Sequence, residues 1–245
     1  MNQQHRFTRT ELLVGAEGLA KLASARVMVF GVGGVGSYVV EALARAGIGE
    51  LILVDFDKVD LTNINRQLHA MEDTVGQYKV DLMARRVHLI NPLAKVTALK
   101  EFYSPEKGDE LLEGDYSYVV DAIDNVTGKL DIIKRCYSRQ ISVISSMGAG
   151  NKLNPAAFRV GDISETSVDP LARVVRRELK KSGIYKGVKV VFSLEQPVIP
   201  RYDAGAVTGK PGRLPPGSIS FVPAAAGLVA AGEVVRDLVS FEHKR

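Results

Sequence analysis

Val27-Met28-Val29-Phe30-Gly31-Val32-Gly33-Gly34-Val35-Gly36-Ser37 is an apolar run that ends in spaced glycines and opens onto a helical pattern. A run of this kind suits a strand buried on both faces. Gly31-x-Gly33-x-x-Gly36 at its end is a dinucleotide-type fingerprint, because the glycines allow a tight turn, close approach of backbone to phosphate, and close packing of helix on strand. Val39, Val40, Leu43 and Ala44 then recur at helical spacing over 37–46, with Gly47 as the stop, and 51–54 is a second apolar strand ending at Asp55. Asp55 stands where the fingerprint wants a ribose-binding carboxylate. Arg66, Gln67 and Lys79 follow, yet a pyrophosphate already held by a helix N-terminus has little need of two further cations. A triphosphate has such a need.

The alternation of strand and helix extends in both directions. A helix is predicted over 11–24, another over 79–90 ended by Asn91-Pro92, and strands over 96–99, 118–122 and 143–145. Beyond Gly150 the order changes to a strand at 157–160, a basic helix at 170–182, a strand at 188–193, a Gly- and Pro-rich stretch at 201–217 and a packed helix at 223–235. The 201–217 stretch is long for an internal loop, so it is either functional or partly disordered. The pattern predicts an α/β fold: a Rossmann-like, mostly parallel sheet with helices on both faces, and an additional C-terminal α/β portion in the same domain.

Composition narrows the chemistry. With 245 residues, 46% of them hydrophobic, the chain can bury a full core, and a formal charge of +4 leaves it open to an acidic partner. Its single cysteine, Cys136, excludes an internal disulfide and a four-cysteine zinc site. No apolar run approaches the ~18 residues of a membrane span and the first residues lack an apolar signal core, so we expect a cytoplasmic protein with no integral membrane association.

The candidate ligands fall at strand ends, where open α/β sheets bind: Gly31, Gly33, Gly34 and Gly36, then Asp55 and Asp57, then Asn63, Asn65, Arg66 and Gln67 with Lys79, then Asp121 to Asn125. Asp55 can accept the ribose hydroxyls, leaving the phosphates near Arg66 and Lys79. Asp124 is the natural magnesium ligand, since a hard cation is held by one or two carboxylates plus phosphate oxygens. Such a site suits attack of a substrate carboxylate on the α-phosphate of ATP, with pyrophosphate leaving and an acyl adenylate forming. Lys79 at a helix start opposes the helix dipole unless an anion faces it. Asp124 could also cap the following helix, Asp57 could support the loop or touch a metal, and His69 could move a proton or make a structural hydrogen bond.

In combination, Gly31 to Ser37, Asp55-Phe56-Asp57, Asn63-Ile64-Asn65-Arg66-Gln67, Val75-Gly76-Gln77-Tyr78-Lys79 and Asp121-Ala122-Ile123-Asp124-Asn125 resemble the ThiF/MoeB/HesA superfamily of ATP-dependent adenylating enzymes. Gly47-Ile48-Gly49, Gly148-Ala149-Gly150 and the segment from Asp162 to Ala172, followed by the basic helix and Val191-Phe192-Ser193, look like its tRNA threonylcarbamoyladenosine dehydratases. The resemblance implies that Gly34 and Asp55 bind the nucleotide, that Arg66 and Lys79 grip the phosphates, and that Asp124 holds magnesium. It also suggests that Arg9 reaches the triphosphate of the other subunit of a homodimer. A single adenylating domain over 1–245 is expected, with 1–150 the nucleotide-binding core and 151–245 the substrate-side and dimer-contributing portion. The implied substrate is tRNA carrying threonylcarbamoyladenosine. Its threonyl carboxylate would be activated by ATP and then attacked by an atom of the same side chain, with loss of water overall.

That substrate raises the standing of Arg173, Arg176, Arg177, Lys180 and Lys181 as phosphate contacts, with Lys186 and Lys189 beyond them; otherwise they read as a solvated helix face. Tyr185 and Tyr202 could stack on a base. The alternative is adenylation of the C-terminus of a ubiquitin-like sulfur carrier, which calls for a usable cysteine. Cys136 lies at helical spacing suggesting burial, and Val190 stands where some of these dehydratases have a cysteine. A nucleotide-binding adaptor without activity would not need the full adenylation set. A sulfur-mobilising protein partner, and a monovalent cation near Gly148 to Asn151, are left open by the sequence.

Overall fold

A computed structural model describes residues 4–199 and 216–240. The chain runs α1 (Thr8–Ser24), β1 (Arg26–Phe30), α2 (Gly36–Ala46), β2 (Glu50–Val54), α3 (Lys79–Ile90), β3 (Lys95–Leu99), α4 (Gly108–Leu111), β4 (Tyr118–Asp121), α5 (Val126–Ser138), β5 (Val143–Ser146), β6 (Phe158–Asp162), α6 (Pro170–Lys181), β7 (Lys189–Ser193) and α7 (Phe221–Val239). The strands form one seven-stranded sheet in the order β3-β2-β1-β4-β5-β7-β6. All pairs are parallel except β6 with β7. The C-terminal elements therefore extend the same sheet, as the sequence predicts. Strand order reverses direction between β1 and β4, which opens a crevice beyond their C-terminal ends.

Strand alternation divides the core. Val27, Val29, Leu51 and Leu53 face the layer of α1, α2, α3 and α7, where they meet Leu22, Val39, Leu43, Met83 and Val234. Met28, Phe30, Ile52 and Val54 face the other way, onto Tyr103, Leu112, Ile132 and Cys136. Further along that face, α6 buries Ala172, Val175 and Leu179 against Ile133, Val190 and Phe192. Each such side chain is worth about 1.5–3 kcal/mol of burial, which fixes the register of the central strands. Gly47 stops α2 in the left-handed conformation, with φ +100° and its N–H on the carbonyls of Leu43 and Ala44. The one departure within a predicted helix is Gly15, at φ +74° and ψ +171°, which breaks α1 into two pieces. Among the described residues no helix is long and apolar enough to cross a membrane. Tyr202, with all of 201–215 from the 201–217 stretch, lies outside the described residues.

Two fully buried ion pairs stand on the C-terminal side of the sheet, and neither is apparent in the motifs. Lys129 of α5 donates to Asp121 Oδ2 at 2.7 Å, to the Ser146 carbonyl at 2.9 Å and to Ser145 Oγ at 3.2 Å. Lys152 pairs with Asp169 at 2.8 Å. A buried ion loses its hydration and is tolerated only when its partner and further hydrogen bonds replace it. Lys129→Met should therefore lower stability by about 3–5 kcal/mol in urea denaturation, by stranding Asp121. Adding Asp121→Asn to that variant should recover part of the loss.

Candidate active site

The glycine loop is forced by backbone proximity. A Cβ on Gly36 would lie 1.8 Å from the Gly31 carbonyl oxygen, and one on Gly31 (φ +82°) would lie 2.8 Å from the Ala122 carbonyl oxygen. The turn after β1 thus packs directly on the turn after β4. Gly33 faces Gln67 Nε2, and Gly34 lies under the Arg66 stem and Pro223 of α7. The structure therefore gathers the loop, Arg66 and Gln67 at one edge.

Asp55 is buried at the tip of β2, and its carboxylate accepts the Val32 N–H at 2.7 Å on one oxygen and the Asp57 N–H at 2.9 Å on the other. Burial pushes its pKa up, against these two N–H groups and Lys79. Each oxygen keeps a second lone pair, so ribose hydroxyls and the loop can share the group.

Lys79 has its anion within the fold: Nζ lies 2.6 Å from Asp57 Oδ2, with the lysine side chain only 6% exposed. Asp57 thus steers Lys79, while its own side chain stays 45% exposed. Arg66 pairs with no acid in its loop. Its Nη1 donates to the Thr62 carbonyl and to Asn65 Oδ1, both at 2.9 Å. Asn65 in turn donates to the Ser218 carbonyl at 3.0 Å, tying the loop to the chain that enters α7. Asn63 is buried, and its Oδ1 accepts the Asp60 N–H at 3.1 Å. Asn63 and Asn65 thus help to shape the loop that carries Arg66.

At the end of β4 the two candidates separate. Asn125, not Asp124, caps α5, its Oδ1 accepting the Gly128 N–H at 2.9 Å. Asp124 is exposed and enters none of the side-chain bonds that fix the turn. Asp121, counted with it as a ligand candidate, is wholly buried in its pair with Lys129 and is unavailable to a ligand. Among the described residues no three His, Cys, Asp or Glu cluster as a metal site, so a cation here would take Asp124 plus phosphate oxygens.

His69 is 3% exposed, and neither ring nitrogen has a hydrogen-bond partner among the described residues. Burial, with Lys79 nearby, pushes its pKa down to about 4, so it is neutral near pH 7. Neither the structural hydrogen bond nor an exposed proton-transfer role appears. Cys136 is buried, and desolvation pushes its thiol up to about 12, which makes it unreactive.

Arg9 is exposed on α1. The start of α1 sits against the ends of α2 and α3, with Phe7 over Gly47 and Arg6 Nη1 on the Ile90 carbonyl. That is the sheet edge opposite the glycine loop, so Arg9 is absent from the site of its own chain. On α6, Arg173, Arg177, Lys180 and Lys181 are exposed, with Arg177 and Lys181 sharing Glu178. Arg176 instead turns inward to Thr166, and Lys189 pairs with Glu233 and Asp237. Both leave the basic face.

Sequence reasoning missed the residues that hold the site's rim. Lys152 Nζ donates to the Gly148 carbonyl at 2.7 Å and to Asp169, while Asp169 also accepts the Ala172 N–H at 2.8 Å as the cap of α6. Asn151, in the left-handed region, receives the N–H groups of Val198 and Gly217. A signal existed for Lys129 alone: it precedes Ile132, Ile133 and Cys136 by three, four and seven positions, on the buried stripe of α5.

Comparison with known proteins agrees with this geometry. The ThiF family model matches residues 7–245. The chain is 49% identical to a tRNA threonylcarbamoyladenosine dehydratase of Bacillus subtilis, over 96% of this chain and 95% of that protein. It superposes on the Escherichia coli tRNA N6-threonylcarbamoyladenosine dehydratase TcdA in complex with ATP with a TM-score of 0.86 at 37% identity, covering 96% of this chain and 94% of that one. A molybdopterin-synthase adenylyltransferase of Salmonella typhimurium is 36% identical, but over only 57% of each chain. With the family model and the near-full-length relative in agreement, the chain belongs to the ThiF family and, within it, to the tRNA threonylcarbamoyladenosine dehydratases.

Proposed function

We propose that the protein uses ATP to adenylate and cyclise threonylcarbamoyladenosine in tRNA. The observation that carries this reading is the meeting of the glycine loop, Asp55, Arg66 and an exposed Asp124 at one crevice, in a chain whose full-length relatives bear that enzyme's name. Relatives named for molybdopterin-synthase and sulfur-carrier adenylation match 57% and 49% of this chain, and the buried Cys136 offers that alternative no reactive thiol.

The chain's own groups have distinct parts. Asp55 orients the ribose, and the loop N–H groups meet phosphate at the start of α2. Arg66 lies beside the loop to neutralise charge on the phosphates, and Lys79, steered by Asp57, is placed to join it. Asp124 would hold magnesium, which supplies Lewis-acid stabilisation of the phosphoryl oxygens. The threonyl carboxylate attacks the α-phosphorus, pyrophosphate leaves, and ring closure expels AMP carrying the carboxylate oxygen. The water lost from the nucleoside is thereby accounted for in the hydrolysis of ATP to AMP and pyrophosphate, and no enzyme nucleophile is needed.

We place residues 1–150 as the nucleotide-binding core and 151–245 as the substrate side of one adenylating domain in the cytoplasm. Leu12 and Leu13 on α1 are 77% and 79% exposed, which favours a second copy covering α1 as a homodimer and Arg9 acting across it. The exposed cations of α6 offer a track for tRNA phosphates. The conversion itself needs no sulfur, so a sulfur-mobilising partner is not part of this reading.

Wild-type protein with ATP and magnesium should convert threonylcarbamoyladenosine tRNA to a nucleoside lighter by one water, read by nucleoside mass spectrometry. Asp124→Ala should lose about 100-fold or more of that rate. Arg9→Ala and Asp124→Ala should each be inactive alone. Mixed and allowed to exchange subunits, they should recover about a quarter of wild-type activity, since half of the dimers then hold one intact site. No recovery would place Arg9 outside the partner's site. Arg173→Glu with Lys180→Glu should weaken tRNA binding and flatten its salt dependence by about 1–2 units of slope, with ATP binding unchanged.

A further inference from the structure

We infer that the Lys152 ammonium is the resident cation of the turn Gly148 to Asn151, so that this chain needs no monovalent metal ion there, and that it positions the acceptor side of the site relative to α6. The inference deepens the proposed function, and its positioning half rests on that reading.

Two oxygens of the kind that bind an alkali cation meet at one point. A backbone carbonyl, Gly148 O, and a carboxylate oxygen, Asp169 Oδ2, converge at 2.7 and 2.8 Å on one point. The positive charge at that point is an ammonium, a compact charge with three donors. The side chains of Lys152 and Asp169 are 1% and 0% exposed, so bulk water solvates neither charge. The fit is tight, because a Cβ on Gly148 would stand 2.6 Å from Asp169 Oδ2. A metal ion at the same oxygens would have to displace the ammonium, so the residues present do not fit both.

The location gives the pair its role. β5 lies beside β4, with Ser145 opposite Asp121, so the turn after β5 is the neighbour of the turn that presents Asp124. The other oxygen of Asp169 accepts the Ala172 N–H at 2.8 Å and, more weakly, the Gly148 N–H at 3.3 Å. One carboxylate therefore holds the start of the basic helix and the rim of the site together. Lys152 holds that carboxylate in place. It is a positioning residue, acting through Asp169 and the Gly148 carbonyl.

The test compares wild type, Lys152→Gln and Lys152→Ala in potassium chloride, sodium chloride and choline chloride at equal ionic strength. Thermal unfolding is read first, since it does not depend on the reaction. Wild type should unfold at the same temperature in all three salts. The variants should unfold roughly 5–15 °C lower in choline. They should regain part of that loss, saturably, in potassium or sodium. The dehydration rate should follow: independent of the cation in wild type, at least about tenfold lower in the variants in choline, and restored by the metal ion. A saturable potassium or sodium requirement in wild type would overturn the inference, as would variants that show no cation-specific recovery. A wild type that fails to dehydrate the tRNA at all would count against the function instead, with the unfolding result still deciding the resident cation.

Discussion

Asp55 carries more of the site than a ribose contact demands. Its two oxygens take backbone N–H groups from different places: Val32 in the loop after β1, and Asp57 in the chain leaving β2. Through the first bond the glycine loop is held against the tip of β2. Through the second the segment toward Lys79 starts in a fixed direction, and the Asp57 side chain is delivered to that lysine. A neutral side chain of the same shape would accept these bonds with less than the strength of a charged acceptor. The loop, the tip of β2 and the approach to Lys79 therefore share one carboxylate.

The sheet was readable because its central strands are buried on both faces. Val27 to Phe30 and Leu51 to Val54 are continuous apolar runs, and such runs between helical periods have few structural outcomes. The glycine loop was readable for a similar reason, since a Cβ at Gly36 would collide with backbone and no other residue fits. What the sequence hid is pairing between distant side chains. A separation of 22 positions from Asp57 to Lys79, or of 17 from Lys152 to Asp169, carries no period that would announce either contact. Capping was ambiguous at Asp124-Asn125 because both residue types accept N–H bonds, and a one-residue difference decides which of them caps α5. The inward turn of Arg176 was equally hidden, since its partner Thr166 lies in an irregular segment.

The two buried pairs divide their work between neighbouring strand ends. Lys129 and Asp121 fix the turn after β4, from which Asp124 projects; Lys152 and Asp169 fix the turn after β5 and the start of α6. Replacing such pairs with apolar side chains is often harmless to stability, so their presence is better explained by the geometry they impose than by energy gained. A carboxylate and an ammonium accept few arrangements, and an apolar contact accepts many.

Asn151 joins two distant parts of the chain. Its carbonyl accepts the Val198 N–H and its side-chain oxygen accepts the Gly217 N–H, so the residues that follow β7 and those that enter α7 are anchored on the turn after β5. Asn65 holds the neighbouring Ser218 carbonyl, and Arg66 in turn donates to Asn65. A change at Asn151 would therefore be felt on the far side of the crevice, at a cation it does not touch.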